Sequence, residues 1–244
     1  VSLSRNIHYF FNTYLSYLLK TKYPNAYTAI SGGDDVFIIL PWNQAIPLVS
    51  ELQDSFAKFC SNNSDLHFSA GVIVANKKEP FSFVNKKANT ALDGQAKEFE
   101  GKNCVSYFGV CFTPLQLKQF IKDFETFSSF ISKDEKDGRP ISMGLVYRLY
   151  SYVNDYMVVP NLDSPRKTYL YDMARKLGVN SKLKYDLSRN IIKDKKDLSE
   201  LDKESLKFIL DKFNNYKSLE DLKRFRVLLI NTLYELRKNN KGDN

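Results

Sequence analysis

Residues 27–42 read YTAISGGDDVFIILPW, and this stretch decides the fold of the first part of the chain. Two apolar runs flank the tetrapeptide GGDD at 32–35, and the second run, residues 36–40, is continuously apolar and rich in β-branched and aromatic side chains. This pattern predicts a hairpin of two strands, at least one of them central to a sheet. The Gly-Gly pair favours a tight turn because both residues tolerate positive φ. The predicted hairpin therefore carries two adjacent carboxylates at its tip.

The adjacent carboxylates, Asp34 and Asp35, have two interpretations. Asp and Gly dominate turns in general, so both side chains could be solvated turn residues with no further role. Alternatively they bind a divalent cation, because Mg²⁺ and Mn²⁺ prefer oxygen ligands and Mg²⁺ is often held by one or two carboxylates together with substrate phosphates. Gly32 and Gly33 would then let the backbone approach a triphosphate where a Cβ would clash. The hairpin alone leaves both interpretations open.

The composition is that of a globular protein. The chain has 244 residues, of which 43% are hydrophobic and 26% charged, enough for one large domain or two small ones. No apolar run is long enough to span a bilayer, and the start, VSLSRN, has no signal-peptide pattern. We therefore expect a cytoplasmic protein with no membrane partner. Because the sequence does not begin with Met, we expect a piece or a processed product of a longer chain.

Cysteine and histidine usage excludes several classes of site. Cys60, Cys104 and Cys111 form no CxxC pair, which indicates free thiols in a reducing compartment. His8 and His67 are the only histidines, and neither has the spacing of a zinc ligand. The sequence therefore predicts neither a zinc site, nor a His-Asp metal nuclease, nor a Ser-His-Asp arrangement.

The positive charge is concentrated in the second half of the chain. Residues 1–112 contain 10 Lys and Arg against 9 Asp and Glu, whereas residues 113–244 contain 26 against 19. A basic half suggests a polyanionic partner such as RNA. A lysine-rich solvated surface without a partner is the alternative interpretation.

The order of elements in the first half predicts an α+β domain. The apolar spacing and the turn signals indicate helices and strands in the order αββαβαβ. They lie, in that order, at 3–20, 27–31, 36–40, 43–60, 67–75, 80–98 and 104–108. Strands in hairpin and crossover arrangement with helices between them predict a ferredoxin-like or Palm sheet.

From residue 113 onward the pattern is helical only. Thr113-Pro114 and Ser164-Pro165 have the N-cap and first-turn proline typical of a helix start, and Gly178 is a candidate C-cap. The motifs SELD at 199–202 and SLED at 218–221 resemble capping boxes with Asp in place of Glu. These signals predict helices near 114–132, 142–155, 164–177, 183–193, 199–214 and 218–238. We accordingly expect a Palm domain at 1–112 and an all-α domain at 113–244.

Three motifs in order resemble the nucleotide-cyclase Palm fold. After the hairpin come the strand FSAGVIVA at 68–75 and then ANTALDGQAKEFEGKNCVSYF at 88–108, which is similar to the closing signature of diguanylate cyclases, with two extra residues before the glycine. Diguanylate cyclases carry a Glu-Phe after the hairpin acid, whereas this chain has Asp35 and then Val36. That variant, followed directly by a helical domain, resembles the large subunit of type III CRISPR effector complexes. The segment LSRNIHYFFNTYL at 3–15 is similar to the type III-A version of that subunit.

The resemblance implies a synthetase of cyclic oligoadenylates. Asp34 and Asp35 would be the catalytic residues and would hold Mg²⁺ or Mn²⁺, and two ATP molecules would bind at the Palm. The remaining nucleotide-binding positions that the resemblance implies are Ser31, Gly32, Gly33, Lys97 and Lys102. The implied partners are the other subunits of the complex, guide RNA and target RNA.

The resemblance leaves alternatives open. Palm cyclases normally carry another metal carboxylate on a strand before the first helix, and this sequence has no such strand before Val1. The family's HD nuclease domain and first Palm domain are also outside this sequence. A non-catalytic module that binds RNA and subunits is therefore the second hypothesis, and a diguanylate cyclase is the third.

Overall fold

The computed structural model describes residues 2–32, 35–132, 138–158, 164–193 and 197–239. The chain divides into two compact units, Val1–Ile121 and Lys122–Asn244. Strands lie only in the first unit among the described residues, and the helices of the second unit follow them along the chain. The predicted fold class, an α+β domain followed by helices, is confirmed. The predicted boundary between residues 112 and 113 stays a prediction.

A long helical segment opens the first unit. It consists of α1 (Ser2–Tyr9), a π-helical turn (Phe10–Tyr14) and α2 (Leu15–Lys22), and it confirms the helix predicted at 3–20. A second helix, α3 (Trp42–Phe59), supplies the other side of the core. Eight buried side chains from these elements pack together, and burial of such apolar surface is the main force that stabilises a fold. They are Phe10, Phe11, Leu15, Leu18, Leu19, Leu48, Leu52 and Phe56.

The predicted hairpin lies between these helices in the chain. Its strands are β1 (Tyr27–Gly32) and β2 (Asp35–Ile39), paired antiparallel with one register shift between Thr28 and Ile30. Val36, Ile38 and Leu40 pack against the helical core. The alternation of residues along β2 therefore anchors one face of the hairpin, since side chains in a strand alternate between faces.

A second, three-stranded sheet follows. Its strands are β3 (Ala70–Val72), β4 (Val105–Tyr107) and β5 (Val110–Phe112), in the order β3-β4-β5, with β3 parallel to β4 and β4 antiparallel to β5. Helix α4 (Phe81–Ala91) and a π-helical turn (Leu92–Ala96) form the crossover between β3 and β4. The strand predicted at 67–75 is thus shorter than expected, and β5 was not predicted. Within the described residues, the five strands form two sheets.

The close packing of β3 against the crossover explains part of this arrangement. A Cβ built on Gly71 would lie 2.5 Å from the backbone nitrogen of Leu92 and 2.8 Å from the backbone oxygen of Ala88. Only glycine fits where two backbones approach this closely. The helical crossover therefore lies directly on β3.

The second unit is made of helices. Helix α5 (Pro114–Ser129) contains the division between the units, and α6 (Met143–Met157), α7 (Pro165–Leu187), α8 (Glu200–Asn214) and α9 (Leu219–Asn239) follow. A π-helical turn, Ser188–Ile192, extends α7. The apolar core consists of fully buried side chains from these helices. They include Phe127, Leu145, Leu149, Val153, Ile209, Phe213, Val227 and Leu229.

Two predicted helices are one in the structure. Helices were expected at 164–177 and 183–193 with Gly178 as the C-cap between them, and this prediction is wrong because α7 runs through Gly178 without interruption. The buried positions Val179, Leu183 and Leu187 follow one another at helical spacing immediately after the glycine. Their burial outweighs the cost of about 1 kcal/mol that an interior glycine imposes on a helix.

The predicted N-caps at Thr113, Ser199 and Ser218 are confirmed, whereas Ser164 precedes α7 without a side-chain cap bond. Ser199 Oγ accepts a hydrogen bond from the backbone N–H of Asp202 at 3.1 Å, and Asp202 Oδ2 accepts one from the Ser199 N–H at 3.0 Å. The pair Ser218 and Asp221 makes the same two bonds at 3.4 and 3.0 Å. Thr113 caps α5 through its hydroxyl. No helix among the described residues is long and apolar enough to cross a membrane.

Candidate functional site

The hairpin register defines the geometry of the predicted site. Ser31 pairs with Val36, and Gly32 pairs with Asp35, so the two strands remain paired up to the turn. Asp35 is the first residue of β2 and its side chain is exposed. The strand pairing thus holds an acidic residue in solvent at the end of a hairpin of which one face packs on the core. Gly33 and Asp34 lie outside the described residues, so their predicted roles stay predictions.

Gly32 leaves open space beside the acidic residue. A Cβ built on Gly32 would meet no atom of the described residues within 4 Å. The protein itself does not require glycine at this position, and the space that a side chain would take is free for a ligand. An exposed carboxylate beside an open backbone suits a hydrated divalent cation with a phosphate group.

The described donors at the tip fit a hard cation but do not complete its coordination. Asp35 supplies carboxylate oxygens, the ligand type that Mg²⁺ and Mn²⁺ prefer. Within the described ranges, no three His, Cys, Asp or Glu side chains are grouped so that they could hold a metal ion. A cation at the tip would therefore need ligands besides Asp35, such as Asp34, water or substrate phosphates.

Lys97, one of the two predicted phosphate-binding residues, lies at the end of the crossover. It caps the π-helical turn with its backbone N–H, which donates to the Leu92 oxygen at 2.8 Å. Its exposed ammonium lies 2.9 Å from Asp93 Oδ1, one helical turn earlier. Such an exposed pair contributes little to stability, so the ammonium can exchange its partner for a phosphate at low cost.

Lys102, the other predicted phosphate-binding residue, lies in the turn before β4. Gly101, Lys102 and Asn103 all have positive φ, at 78°, 50° and 39°. The Lys102 N–H donates to the Phe99 oxygen at 2.8 Å, and the side chain is exposed. This left-handed run fixes the backbone of the turn and leaves the ammonium in solvent.

An aromatic contact that the sequence did not indicate joins the hairpin to α4. The rings of Phe37 on β2 and Phe81 at the start of α4 are 5.5 Å apart and nearly perpendicular. Edge-to-face contacts of this kind stabilise by about 0.5–1.5 kcal/mol. Only the aromatic character of both positions was visible in the sequence.

A cleft that the sequence did not indicate opens beside α4. It has a volume of about 460 Å³ and is lined mainly by apolar side chains, with Lys86, Lys87 and Thr90 among its polar residues. Lys87 is paired with Glu79, and this hydrogen bond lowers the pKa of the Glu79 carboxyl. The apolar walls beside a lysine suit a flat apolar group that carries negative charge.

The cysteines and histidines make local contacts. All three cysteines are free, and burial raises the pKa of the Cys104 thiol to about 12, which keeps it protonated at neutral pH. His8 contacts Asn12, and His67 lies 3.1 Å from the Ser64 oxygen. The prediction of free thiols is confirmed.

Comparison with known proteins identifies the first unit. The family model of the second palm domain of Cas10/Cmr2 matches residues 1–106. Residues 1–106 are therefore similar to this palm domain. The matched range contains the hairpin, both sheets up to β4, and Lys97 and Lys102.

Three curated relatives extend the comparison. The single-strand-specific deoxyribonuclease Cas10/Csm1 (subtype III-A) of Streptococcus thermophilus is 26% identical over 242 residues, which is 97% of this chain and 28% of the relative. The protein of the same name from Mycobacterium tuberculosis is 29% identical over 164 residues, which is 61% of this chain and 19% of the relative. The Cmr subunit Cmr2 of Pyrococcus furiosus is 33% identical over 79 residues, which is 31% of this chain and 9% of the relative.

These comparisons support the large subunit of a type III CRISPR complex. The resemblance predicted from the hairpin, the middle strand and the closing helix is confirmed. The palm domain accounts for the first unit, and the similarity to the Streptococcus thermophilus relative continues through the helical unit. The chain spans less than a third of the length of each of these relatives.

Proposed function

We propose that this palm domain takes part in the metal-dependent synthesis of cyclic oligoadenylates from ATP, within a type III CRISPR effector complex that responds to target RNA in antiviral defence. The observation that carries the proposal is the register of the hairpin. Gly32 pairs with Asp35, so an exposed carboxylate and an open stretch of backbone lie side by side at the tip of a palm-domain hairpin.

The protein groups at the tip would bind and orient the substrate. Asp34 and Asp35 would hold Mg²⁺ or Mn²⁺, which when bound lowers the charge of the triphosphate and favours ionisation of a ribose hydroxyl. Gly32 and Gly33 would allow the triphosphate to approach the backbone, and Ser31 would contact the phosphates or the ribose. Phosphoryl transfer depends mainly on positioning and charge neutralisation, which these groups supply.

The lysines would neutralise the phosphates. Lys97 and Lys102 are exposed cations in the same unit as the hairpin, and ammonium groups bind phosphate as point charges. In each step the 3′ oxygen of one adenosine forms a bond to the α-phosphorus of the next ATP, and the bond from that phosphorus to pyrophosphate breaks. The proton of the 3′ hydroxyl leaves to solvent, and ring closure repeats this exchange within one molecule.

A binding role without catalysis is the second candidate. It is favoured by the excess of positive charge in residues 113–244, where Lys and Arg outnumber Asp and Glu by 26 to 19. In this case the palm domain would form part of an interface between subunits of the complex, and the helical unit would bind RNA and neighbouring subunits. We do not extend the deoxyribonuclease activity named for the relatives to this chain, since its two histidines make only local contacts among the described residues.

Incubation of the protein in its complex with target RNA, labelled ATP and Mg²⁺ or Mn²⁺ tests the proposal. We expect ring-shaped adenylate products and pyrophosphate from the wild type, and loss of both in Asp34→Ala/Asp35→Ala. Asp65→Ala is the matched control, because Asp65 is an exposed acidic residue of a turn in the same unit.

Three other outcomes would contradict the proposal. Product formation by the double variant would show that the two carboxylates of the hairpin are not needed for catalysis. No product from ATP, with RNA binding intact, would support the binding role. Product from GTP instead of ATP would support a diguanylate cyclase.

A further inference from the structure

The outward face of α7 carries cations and tyrosines in one line. Lys167, Tyr171, Lys182 and Tyr185 on α7 and Arg189 in the π-helical turn that extends it are all exposed. Lys167 and Tyr185 are separated by 18 residues, as are Tyr171 and Arg189, and this separation corresponds to about five helical turns. The five side chains, which we call the α7 stripe, therefore follow one side of the helix over about 30 Å.

The other side of α7 is buried in the part of the helix that follows Gly178. Val179, Leu183 and Leu187 pack into the helical core with exposures of 5%, 2% and 3%. This packing fixes the rotation of the helix about its own axis. The packing of the helix therefore keeps the α7 stripe exposed to solvent.

Both carboxylates of α7 form ion pairs with nearby cations. Asp172 pairs with Arg175 and with Lys176, whose ammonium lies 2.8 Å from Asp172 Oδ2. These hydrogen bonds, the one from Lys176 first, lower the pKa of the Asp172 carboxyl. Its negative charge is thus neutralised locally and does not offset the stripe.

The second carboxylate, Asp186, is 8% exposed and turned into the core. It accepts a hydrogen bond from the Tyr152 hydroxyl at 2.5 Å and lies 3.0 Å from Arg148 Nε. Its charge is therefore matched by Arg148. Neither acidic residue of α7 therefore reduces the positive charge of the α7 stripe.

The segment as a whole is strongly basic. Residues 164–193 contain eight Lys and Arg against two Asp. In the part of the chain that the structure describes, no ion pair with a carboxylate is present at Lys167, Lys182 or Arg189. Arg189 donates a hydrogen bond to the neutral Tyr185 hydroxyl at 3.4 Å and so keeps its charge. Cations that no carboxylate neutralises attract a partner with regularly spaced negative charge.

We infer that the α7 stripe binds single-stranded RNA, with the cations on its phosphates and the tyrosines stacked on its bases. Tyr171 and Tyr185 are 55% and 62% exposed, so their ring faces are accessible. Cations interleaved with exposed aromatic rings are the usual composition of a surface that binds a single strand without sequence preference. Between the two tyrosines the stripe passes the small exposed residues Ala174 and Gly178, where a strand can approach the helix.

An acidic protein surface is the main competing occupant. The neighbouring side of α7 exposes Leu170, Met173 and Leu177, which could take part in a protein interface. The spacing of cations and tyrosines within the stripe favours RNA, because an acidic protein would use the charges but not the ring faces. The inference concerns binding by the helical unit and does not depend on the catalytic proposal for the hairpin.

Fluorescence anisotropy with the full chain and a labelled oligouridylate of about 16 nucleotides tests the inference. We expect Tyr171→Ala to weaken binding about fivefold or more, since stacking on a tyrosine adds at least that factor per base. Tyr169→Ala is the matched control, because Tyr169 is 68% exposed on the same helix and lies off the stripe. Tyr171→Phe, which keeps the ring, should bind as the wild type does.

The salt dependence tests the cations. The variant Lys167→Gln/Lys182→Gln/Arg189→Gln should reduce the slope of log affinity against log salt by about 2, given about 0.7 per phosphate contact of a single strand. Lys203→Gln/Lys223→Gln/Arg224→Gln removes the same charge from ion-paired residues on α8 and α9, and it should change the slope much less. Circular dichroism would show that all variants remain folded.

Two results would overturn the inference. One is equal binding of the oligouridylate by the wild type and both stripe variants. The other is competition by polyglutamate as strong as competition by unlabelled RNA, together with no loss in Tyr171→Ala, which would assign the stripe to an acidic protein partner.

Discussion

At the scale of single residues, Gly71 shows how closely the palm domain is packed. Its built Cβ would lie within 3 Å of three backbone atoms of α4 and the following turn. We expect Gly71→Ala to lower the free energy of unfolding by about 1–3 kcal/mol, because backbone atoms cannot move aside as a flexible side chain can. Urea denaturation followed by the fluorescence of Trp42, the only tryptophan of the chain, measures this loss.

Gly178→Ala is the matched comparison for Gly71→Ala. Gly178 lies inside α7, and its built Cβ would meet no atom within 4 Å. We expect this substitution to stabilise the helical unit by up to about 1 kcal/mol, as alanine is the better helix former. Similar losses of unfolding free energy in the two variants, measured by circular dichroism in urea, would show that the close backbone approach at Gly71 does not cause the destabilisation of Gly71→Ala.

Tyr152 makes the stability of the helical unit sensitive to alkaline pH. Burial, together with the hydrogen bond to Asp186, raises the pKa of the Tyr152 hydroxyl to about 12. Because the folded-state pKa exceeds the ordinary value of 10.0, the folded protein holds this proton more tightly than the unfolded chain. The resulting stability is complete below pH 10 and is lost as the pH rises toward 12.

Tyr152→Phe isolates this contribution. Between pH 10 and 12 we expect the free energy of unfolding to fall less steeply in the variant, by up to about 3 kcal/mol over the whole interval. Urea denaturation at a series of pH values, followed by circular dichroism, measures the difference. An identical decline in the wild type and the variant would exclude Tyr152 as the titrating group.

The residue scale also shows what sequence could predict about the site. Asp35 was identified because two carboxylates at a Gly-Gly turn are unusual before an apolar run, and the structure shows it exposed at the start of the partly buried strand β2. The cleft beside α4 was not predicted, because its lining residues come from segments distant in the sequence. Clefts depend on tertiary packing, which local patterns do not encode.

At the scale of elements, the start of α8 depends on a reciprocal pair of hydrogen bonds. We expect Ser199→Ala to lower the free energy of unfolding by about 1 kcal/mol, because it leaves the Asp202 N–H without its acceptor. Ser181→Ala, at an exposed position inside α7, should change it by less than about 0.5 kcal/mol. Thermal unfolding of both variants would contradict this account if the two midpoints moved equally.

The hairpin should fold without its acidic residues. Asp35 is exposed, and β2 is anchored by Val36, Ile38 and Leu40, which pack on the core. We expect Asp34→Ala/Asp35→Ala to change the free energy of unfolding by no more than about 0.5 kcal/mol without metal. Trp42 fluorescence in urea measures this. A large loss of stability would mean that the carboxylates have a structural role, and a loss of activity in the variant would then have another explanation.

Elements with strong local signals were predicted from the sequence, and those without were missed. Helix starts at Thr113, Ser199 and Ser218 were found because capping is a local interaction. The predicted interruption at Gly178 was wrong because tertiary burial after the glycine overrides its low helix propensity. Strand β5 was missed because Phe108 and Gly109 turn the chain with positive φ, and the short run after them has no alternation of its own.

At the scale of the whole molecule, the sequence predicted the order of elements and the α+β class, but not how the strands assemble. Pairing between strands depends on residues far apart in the sequence, and the described strands form a hairpin and a separate three-stranded sheet. The division of charge between the two halves was visible in the sequence. The exposure of Lys167, Lys182 and Arg189 along one side of α7 and its extension required the structure.

The central claim is that the carboxylates of the hairpin hold a divalent cation against a nucleoside triphosphate. A crystal structure of the protein with ATP and Mn²⁺, with the metal located by anomalous scattering, tests it most directly. We predict a manganese peak about 2.1 Å from a carboxylate oxygen of Asp34 or Asp35, with triphosphate density beside Gly32. Metal and phosphates bound away from the hairpin tip would contradict the claim.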